Sequence, residues 1–174
     1  MLIRDDQIKA AVAVIYISGS NREFLLLKRN KDPRDPWSGN YAFPGGMREK
    51  SDSDLYHTSI RETFEECGLT LDDSNFVKKL PVRTAGKVVG TLIHVQPWLF
   101  ELKEKPQCVV DNKEIVSSHW ISEELLKNAR FHSEQEVKAR SGVHKTHGIV
   151  YEETFLWGFT YKVLLDLLEI KGEI

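Results

Sequence analysis

The stretch GGMREKSDSDLYHTSIRETFEECGL, from Gly45 to Leu69, restricts what this chain can become more than any other. Ser53 to Cys67 reads as an α-helix, on which each residue turns about 100°. Ile60, Thr63, Phe64 and Cys67 then gather on one side, the side expected to be buried. Glu62, Glu65 and Glu66 share an arc of about 100° on the other side, because i, i+3 and i+4 are neighbours on a helix. Three carboxylates that close repel one another, and only Arg61 stands nearby. A divalent cation would relieve them, since hard ions such as Mg²⁺ prefer carboxylate oxygens and keep positions open for water and phosphate. A solvated acidic face is the plainer reading of the same residues.

The flanks bear on that choice. Phe43 and Pro44 lead into the double glycine Gly45-Gly46, where a Cβ would intrude on a sharp backbone turn. Gly68 falls where a left-handed C-terminal residue belongs. Asp52 can cap the start; alternatively, it or Asp54 pairs with Arg61. The whole segment resembles the Nudix box, G-x5-E-x7-R-E-U-x-E-E-x-G-U with U apolar, at Gly46, Arg61, Glu62, Glu65, Glu66, Gly68 and Leu69. It departs in three ways: Asp52 stands for Glu, one extra residue separates Asp52 from Arg61, and Thr63 replaces an apolar U. The first two are features of the coenzyme A pyrophosphatase branch. The resemblance implies an α+β architecture, the Nudix fold, with a mixed β-sheet packed between helices (an α/β/α sandwich). It implies Mg²⁺ or Mn²⁺ held by Glu62, Glu65 and Glu66, with Arg61 orienting the box carboxylates.

A second resemblance precedes the box. Coenzyme A pyrophosphatases carry roughly L-L-T-x-R-[SA]-x3-R-x3-G-x3-F-P-G-G, and Leu25, Leu26, Arg29, Arg34, Gly39, Phe43, Pro44, Gly45 and Gly46 can be laid on it. Leu27 replaces the Thr, Asn30 the small residue, and one extra residue lies between Arg34 and Gly39. Planar, multi-donor guanidinium groups suit phosphate oxygens, so Arg29 and Arg34 are expected to contact substrate. The other reading makes them surface arginines paired with Asp32 or Asp35.

Lys9–Ser18 and Glu23–Arg29 read as core strands joined by a turn. After the box, Phe76–Val82 and the long apolar Lys87–Leu102 read as strands, then Glu114–Trp120, with Ser122 as N-cap of the short helix EELLKN. Nudix enzymes commonly place an acidic residue a few positions before such a Trp, so Glu114 is either an additional ligand or base, or an exposed strand-end glutamate. Asn128–His147 lacks an apolar period and reads as a basic loop, either over the cleft or plainly on the surface. His132, His144 and His147 read as ordinary loop residues. From Phe155 the chain reads as helix, with Trp157, Tyr161, Leu164 and Leu168 facing the core or a second copy in a homodimer.

The 174 residues are 41% hydrophobic and 29% charged, which suits one soluble domain spanning 1–174. A net charge of −2 does not favour nucleic-acid or membrane-surface binding. No membrane-length apolar run or signal-peptide pattern is present, and the chain carries two cysteines, Cys67 and Cys108. A reduced, cytoplasmic protein is therefore expected. The expected function is metal-dependent cleavage of the pyrophosphate of coenzyme A or its derivatives, with Glu66, Glu62 and Glu114 all open as base. The alternatives are another nucleoside diphosphate derivative such as ADP-ribose, a nucleoside triphosphate, or a Nudix-fold module that binds nucleotide without cutting it.

Overall fold

The strand β1 (Ile8–Ile17) is the axis of the molecule, a run of apolar and β-branched residues with Ala11, Ala13, Val14 and Ile15 wholly buried. The computed structural model describes residues 3–32, 35, 37–87, 90–110, 113–139 and 142–170. One edge of β1 runs parallel to β7 (Ile93–Leu102), in register from Ala10↔Val95 to Ile17↔Leu102, with a shift of register between Ile8 and Ala10. Its other edge is shared. At one end it pairs with β2 (Glu23–Arg29) through Tyr16↔Phe24, and at the other with β4 (Gly45–Met47) through Ala10↔Met47 to Val12↔Gly45. The strands β3 (Tyr41–Ala42) and β8 (Ile115–Ser122) add to β2, while β5 (Phe76–Lys79) and β6 (Arg83–Ala85) add to β7. Among the described residues only the β1–β7 pair is parallel, so the sheet is mixed, as expected.

Both faces of this sheet are covered, which explains why β2 reads FLLL without alternation. Leu25 and Leu27 join Ala13, Ile15, Cys67 and Phe100 beneath helix α1 (Leu55–Cys67). Phe24 and Leu26 join Val14, Leu99 and Ile121 on the opposite face. That face is closed by α2 (Glu123–Lys127), α3 (Gly158–Leu167) and a second sheet, β9 (His132–Ala139), β10 (Gly142–Tyr151) and β11 (Thr154–Trp157), in order β11-β10-β9. The Ser122 hydroxyl accepts the Leu125 N–H and caps α2, as its sequence position predicts.

Three stretches differ from the sequence reading. The expected strand Lys87–Leu102 begins only at Ile93, because Gly86 (φ 87) turns the chain and its carbonyl accepts the Thr91 N–H. The expected loop Asn128–His147 is mostly the β9–β10 hairpin. Its side chains are exposed on both faces over most of its length, so no apolar period marks it. His132 is not a loop residue: it is buried, bonded to the Tyr161 hydroxyl at 2.7 Å and the Leu126 carbonyl at 2.8 Å. Finally, the last helix starts at Gly158 (φ 68), and Phe155 and Trp157 belong to β11. Tyr161, Leu164 and Leu168 do line up, and they face the chain's own core.

Candidate active site

Helix α1 is capped by Asp54 and not by Asp52, the cap that the sequence suggested; Asp52 instead takes the pairing with Arg61. Asp54 Oδ1 accepts the His57 N–H at 2.9 Å and caps α1, while Gly68 closes the helix in the left-handed region (φ 70). Asp52, buried ahead of the helix, takes Arg61 in two parallel bonds, Nε–Oδ1 at 2.9 Å and Nη2–Oδ2 at 3.0 Å. The Glu49 N–H and the Thr58 hydroxyl donate to the same carboxylate, each at 2.9 Å. Arg61 above all, with these donors, holds the Asp52 carboxyl well below the usual carboxylate range. The rest of the guanidinium reaches the Met47 carbonyl at 3.2 Å, Glu65 Oε2 at 2.9 Å and Glu62 Oε1 at 3.0 Å.

The helix is rotated from the orientation its pattern predicts. Phe64, expected inside, is 59% exposed, and Glu66, expected outside, is 9% exposed. The cause lies in β4. Its glycines carry no side chains, so the helix can press its carboxylates against that backbone. The Gly45 N–H donates to Glu66 Oε2 at 2.9 Å, and a Cβ on Gly46 would stand 2.5 Å from Glu62 Oε1. Thr63, wholly buried in place of the apolar box residue, satisfies its hydroxyl on the Ser59 carbonyl at 2.7 Å.

Glu62, Glu65 and Glu66 open into a cavity of about 550 Å³ that Arg29, Gly45, Gly46, Arg61 and Glu114 also line. Burial pushes the Glu66 carboxyl up to about 8, and the charges of Glu62 and Glu114 push the same way against the Gly45 N–H and Arg29. Glu62 is also raised, first by burial. Glu114 is exposed at the start of β8, close enough to bear on both carboxyls. Arg29 lines the cavity while its guanidinium is bonded to Asp35 at 2.8 and 2.9 Å, the ion pair of its second reading. Arg34 lies outside the described residues.

Arg61 is the cation bonded to Glu62 and Glu65, while Glu66 takes its hydrogen bond from the Gly45 N–H. Among the described residues no three acidic, His or Cys side chains converge into a cage for an ion, and Arg61 draws Glu62 and Glu65 toward itself. Such a donor set fits a hard ion like Mg²⁺, which takes one or two carboxylates and completes its shell with water and phosphate oxygens. Sequence reasoning missed the part of the cavity lined by Trp157 at the end of β11, by Phe159 and Lys162 on α3, and by Thr84 and Lys87 around the end of β6. Only topology brings these segments to the box helix, and no spacing announces it.

A mixed sheet thus sets a carboxylate-bearing helix against a glycine strand beside one cavity. The sequence model of the NUDIX domain matches residues 7–140, and the chain belongs to the Nudix family, hydrolases acting on pyrophosphate bonds of nucleotide-linked small molecules. Members generally depend on a divalent metal. The chain is 26% identical over 163 residues to Nudix hydrolase NudL of Yersinia pestis, covering 92% of this chain and 79% of that one. It is 32% identical over 119 residues to the peroxisomal coenzyme A diphosphatase ndx-8 of Caenorhabditis elegans, covering 67% of this chain and 49% of that one. It thus spans about half of the worm enzyme, and 30% of a Schizosaccharomyces pombe protein with which it shares 33% identity over 100 residues. A MutT/nudix family protein of Enterococcus faecalis shares the fold, with a TM-score of 0.64 at 14% identity over 95% of this chain and 62% of that one.

Proposed function

We propose that this chain, as a single Nudix domain, hydrolyses the pyrophosphate of coenzyme A or its derivatives to 3′,5′-ADP and a phosphopantetheine. The observation that carries this reading is a shared cavity. The segment before the box, where the resemblance to coenzyme A pyrophosphatases lies, contributes Arg29, Trp37, Tyr41, Phe43, Gly45 and Gly46 to the space that Glu62, Glu65 and Glu66 face. Similarity to the worm coenzyme A diphosphatase supports the same substrate.

In this reading Glu62, Glu65 and Glu66 hold a divalent ion, which when bound neutralises phosphate oxygens and makes water a better nucleophile. Arg61, locked by Asp52, sets the positions of Glu62 and Glu65. The Gly45 N–H fixes the Glu66 carboxylate from the other side. Arg29 exchanges part of its bond to Asp35 for a phosphate oxygen and stabilises charge on the departing phosphoryl group. A carboxylate accepts the proton of the attacking water, with Glu66, Glu62 and Glu114 within the cavity to do so.

The test is mass-spectrometric product analysis with Mg²⁺ and coenzyme A, beside ADP-ribose and a nucleoside triphosphate. 3′,5′-ADP and phosphopantetheine forming much faster than either comparator is cut is the expected result. Intact coenzyme A beside a cleaved comparator overturns the substrate assignment and leaves the hydrolase chemistry standing.

A further inference from the structure

The cavity is bipolar. Its carboxylates come from α1 on one face of the sheet, whereas Lys162 comes from α3 on the other and Lys87 from the turn after β6. Two relationships place these lysines. Asp166 on α3 forms an ion pair with Arg83 on β6, docking the helix against that strand. Lys162 lies one helical turn before Asp166 on the same side of α3 and lines the cavity. Lys87 follows Gly86, whose backbone turn a Cβ would break by standing 1.6 Å from the Thr91 carbonyl oxygen.

Neither ammonium has an ion-pair partner among the described residues, because Asp166, the carboxylate nearest Lys162 along its helix, is engaged by Arg83. The aromatic side chains of Trp157 and Phe159 line the same cavity. Flat rings pack against aromatic side chains, and ammonium groups are point-charge binders of phosphate. A pyrophosphate engaged at the carboxylate pole therefore leaves the lysine pole for a different anionic group on the same substrate.

Building on the hydrolase reading above, we propose that Lys162, assisted by Lys87, is a specificity determinant that selects pyrophosphate substrates carrying an additional phosphate monoester on their nucleoside. The lysines contact that phosphate and leave the bond being broken to the carboxylate pole.

Substrate pairs differing by one phosphate monoester test this: coenzyme A with dephospho-coenzyme A, and NADPH with NADH. The wild type is expected to favour the phosphorylated member by about tenfold in kcat/KM, chiefly through KM, as befits a charged hydrogen bond. Lys162→Met, at an exposed position, should collapse that ratio to about one, and Lys162→Arg should restore most of it. Equal loss on both members of a pair, or an unchanged ratio, overturns the proposal. If neither pair is hydrolysed, the substrate reading has failed by itself, and the anion site is judged by calorimetric binding of adenosine 3′,5′-bisphosphate against AMP. Tighter binding of the bisphosphate that is lost in Lys162→Met supports the site; equal affinities overturn it.

Discussion

The backbone N–H of Gly45 donates to Glu66 Oε2 at 2.9 Å, joining the glycine strand to the carboxylate helix. Gly45 and its neighbour serve this junction differently. A Cβ on Gly45 (φ 153) would meet the Ala11 carbonyl oxygen at 2.3 Å and the Val12 Cα at 2.6 Å, both on the central strand. Gly45→Ala should cost more than about 2 kcal/mol in denaturant unfolding, because rigid backbone has to move. On Gly46 the nearest atoms to the same Cβ belong to the carboxylate of Glu62. Gly46→Ala should stay within about 1 kcal/mol of wild type yet lose on the order of a hundredfold in kcat, because a reacting group is displaced. An active Gly46→Ala enzyme would sink the role given to Glu62.

Replacing Glu66 with Gln keeps an oxygen to accept the Gly45 N–H and removes the charge. Circular dichroism should be unchanged, with turnover lower by about a thousandfold or more. An active Glu66→Gln protein refutes the site.

The Glu66 carboxyl titrates near 8 in the folded chain, above its unfolded value of about 4.3. A raised folded value means stability that is complete below the unfolded pKa and lost as pH rises toward the folded one. Without metal, the melting temperature should therefore fall between about pH 4.3 and pH 8, and Glu66→Gln should flatten that fall. An identical slope in the variant excludes Glu66 as its source.

Metal removal gives a complementary readout. Chelation should end turnover, and Mg²⁺ should raise the melting temperature by binding the folded carboxylates. That rise should grow with pH, since a protonated Glu66 is a poor ligand, and shrink in Glu66→Gln. A melting temperature indifferent to Mg²⁺ and Mn²⁺ counts against the carboxylates as a metal site.

Asp52 has the opposite sign. Its carboxyl is depressed chiefly by Arg61, so its contribution is present above the unfolded value of about 3.9 and lost as pH falls below it. Asp52→Asn should cost about 2 kcal/mol or more at neutral pH and blunt the acid limb of the stability profile. Arg61→Lys should lower kcat despite keeping the charge, because one ammonium cannot span Asp52, Glu62, Glu65 and the Met47 carbonyl together.

Legibility followed the range of each signal. The C-cap of α1, the N-cap of α2, the β1 and β2 strands and the box itself depend on residues within a few positions of one another, and all were readable; the N-cap of α1 was not, because Asp52 is drawn to Arg61 and Asp54 takes its place. The β9–β10 hairpin was not, because its side chains bury little and its backbone pairing leaves no periodic mark. The same holds for His132, whose burial depends on Tyr161, twenty-nine residues away.

The box helix shows where the two kinds of information part. Sequence alone determined that Arg61, Glu62, Glu65 and Glu66 share a helix ended by Gly68, since helical spacing and capping are local. Tertiary structure decided which way that helix faces. Sequence periodicity put Phe64 inward and Glu66 outward; contact with the bare Gly45–Gly46 backbone reversed both. It also brought Trp157, Phe159 and Lys162 to the same cavity as residues about a hundred positions earlier. Helix rotation and cavity walls are set by what packs against them, and packing partners come from the whole chain.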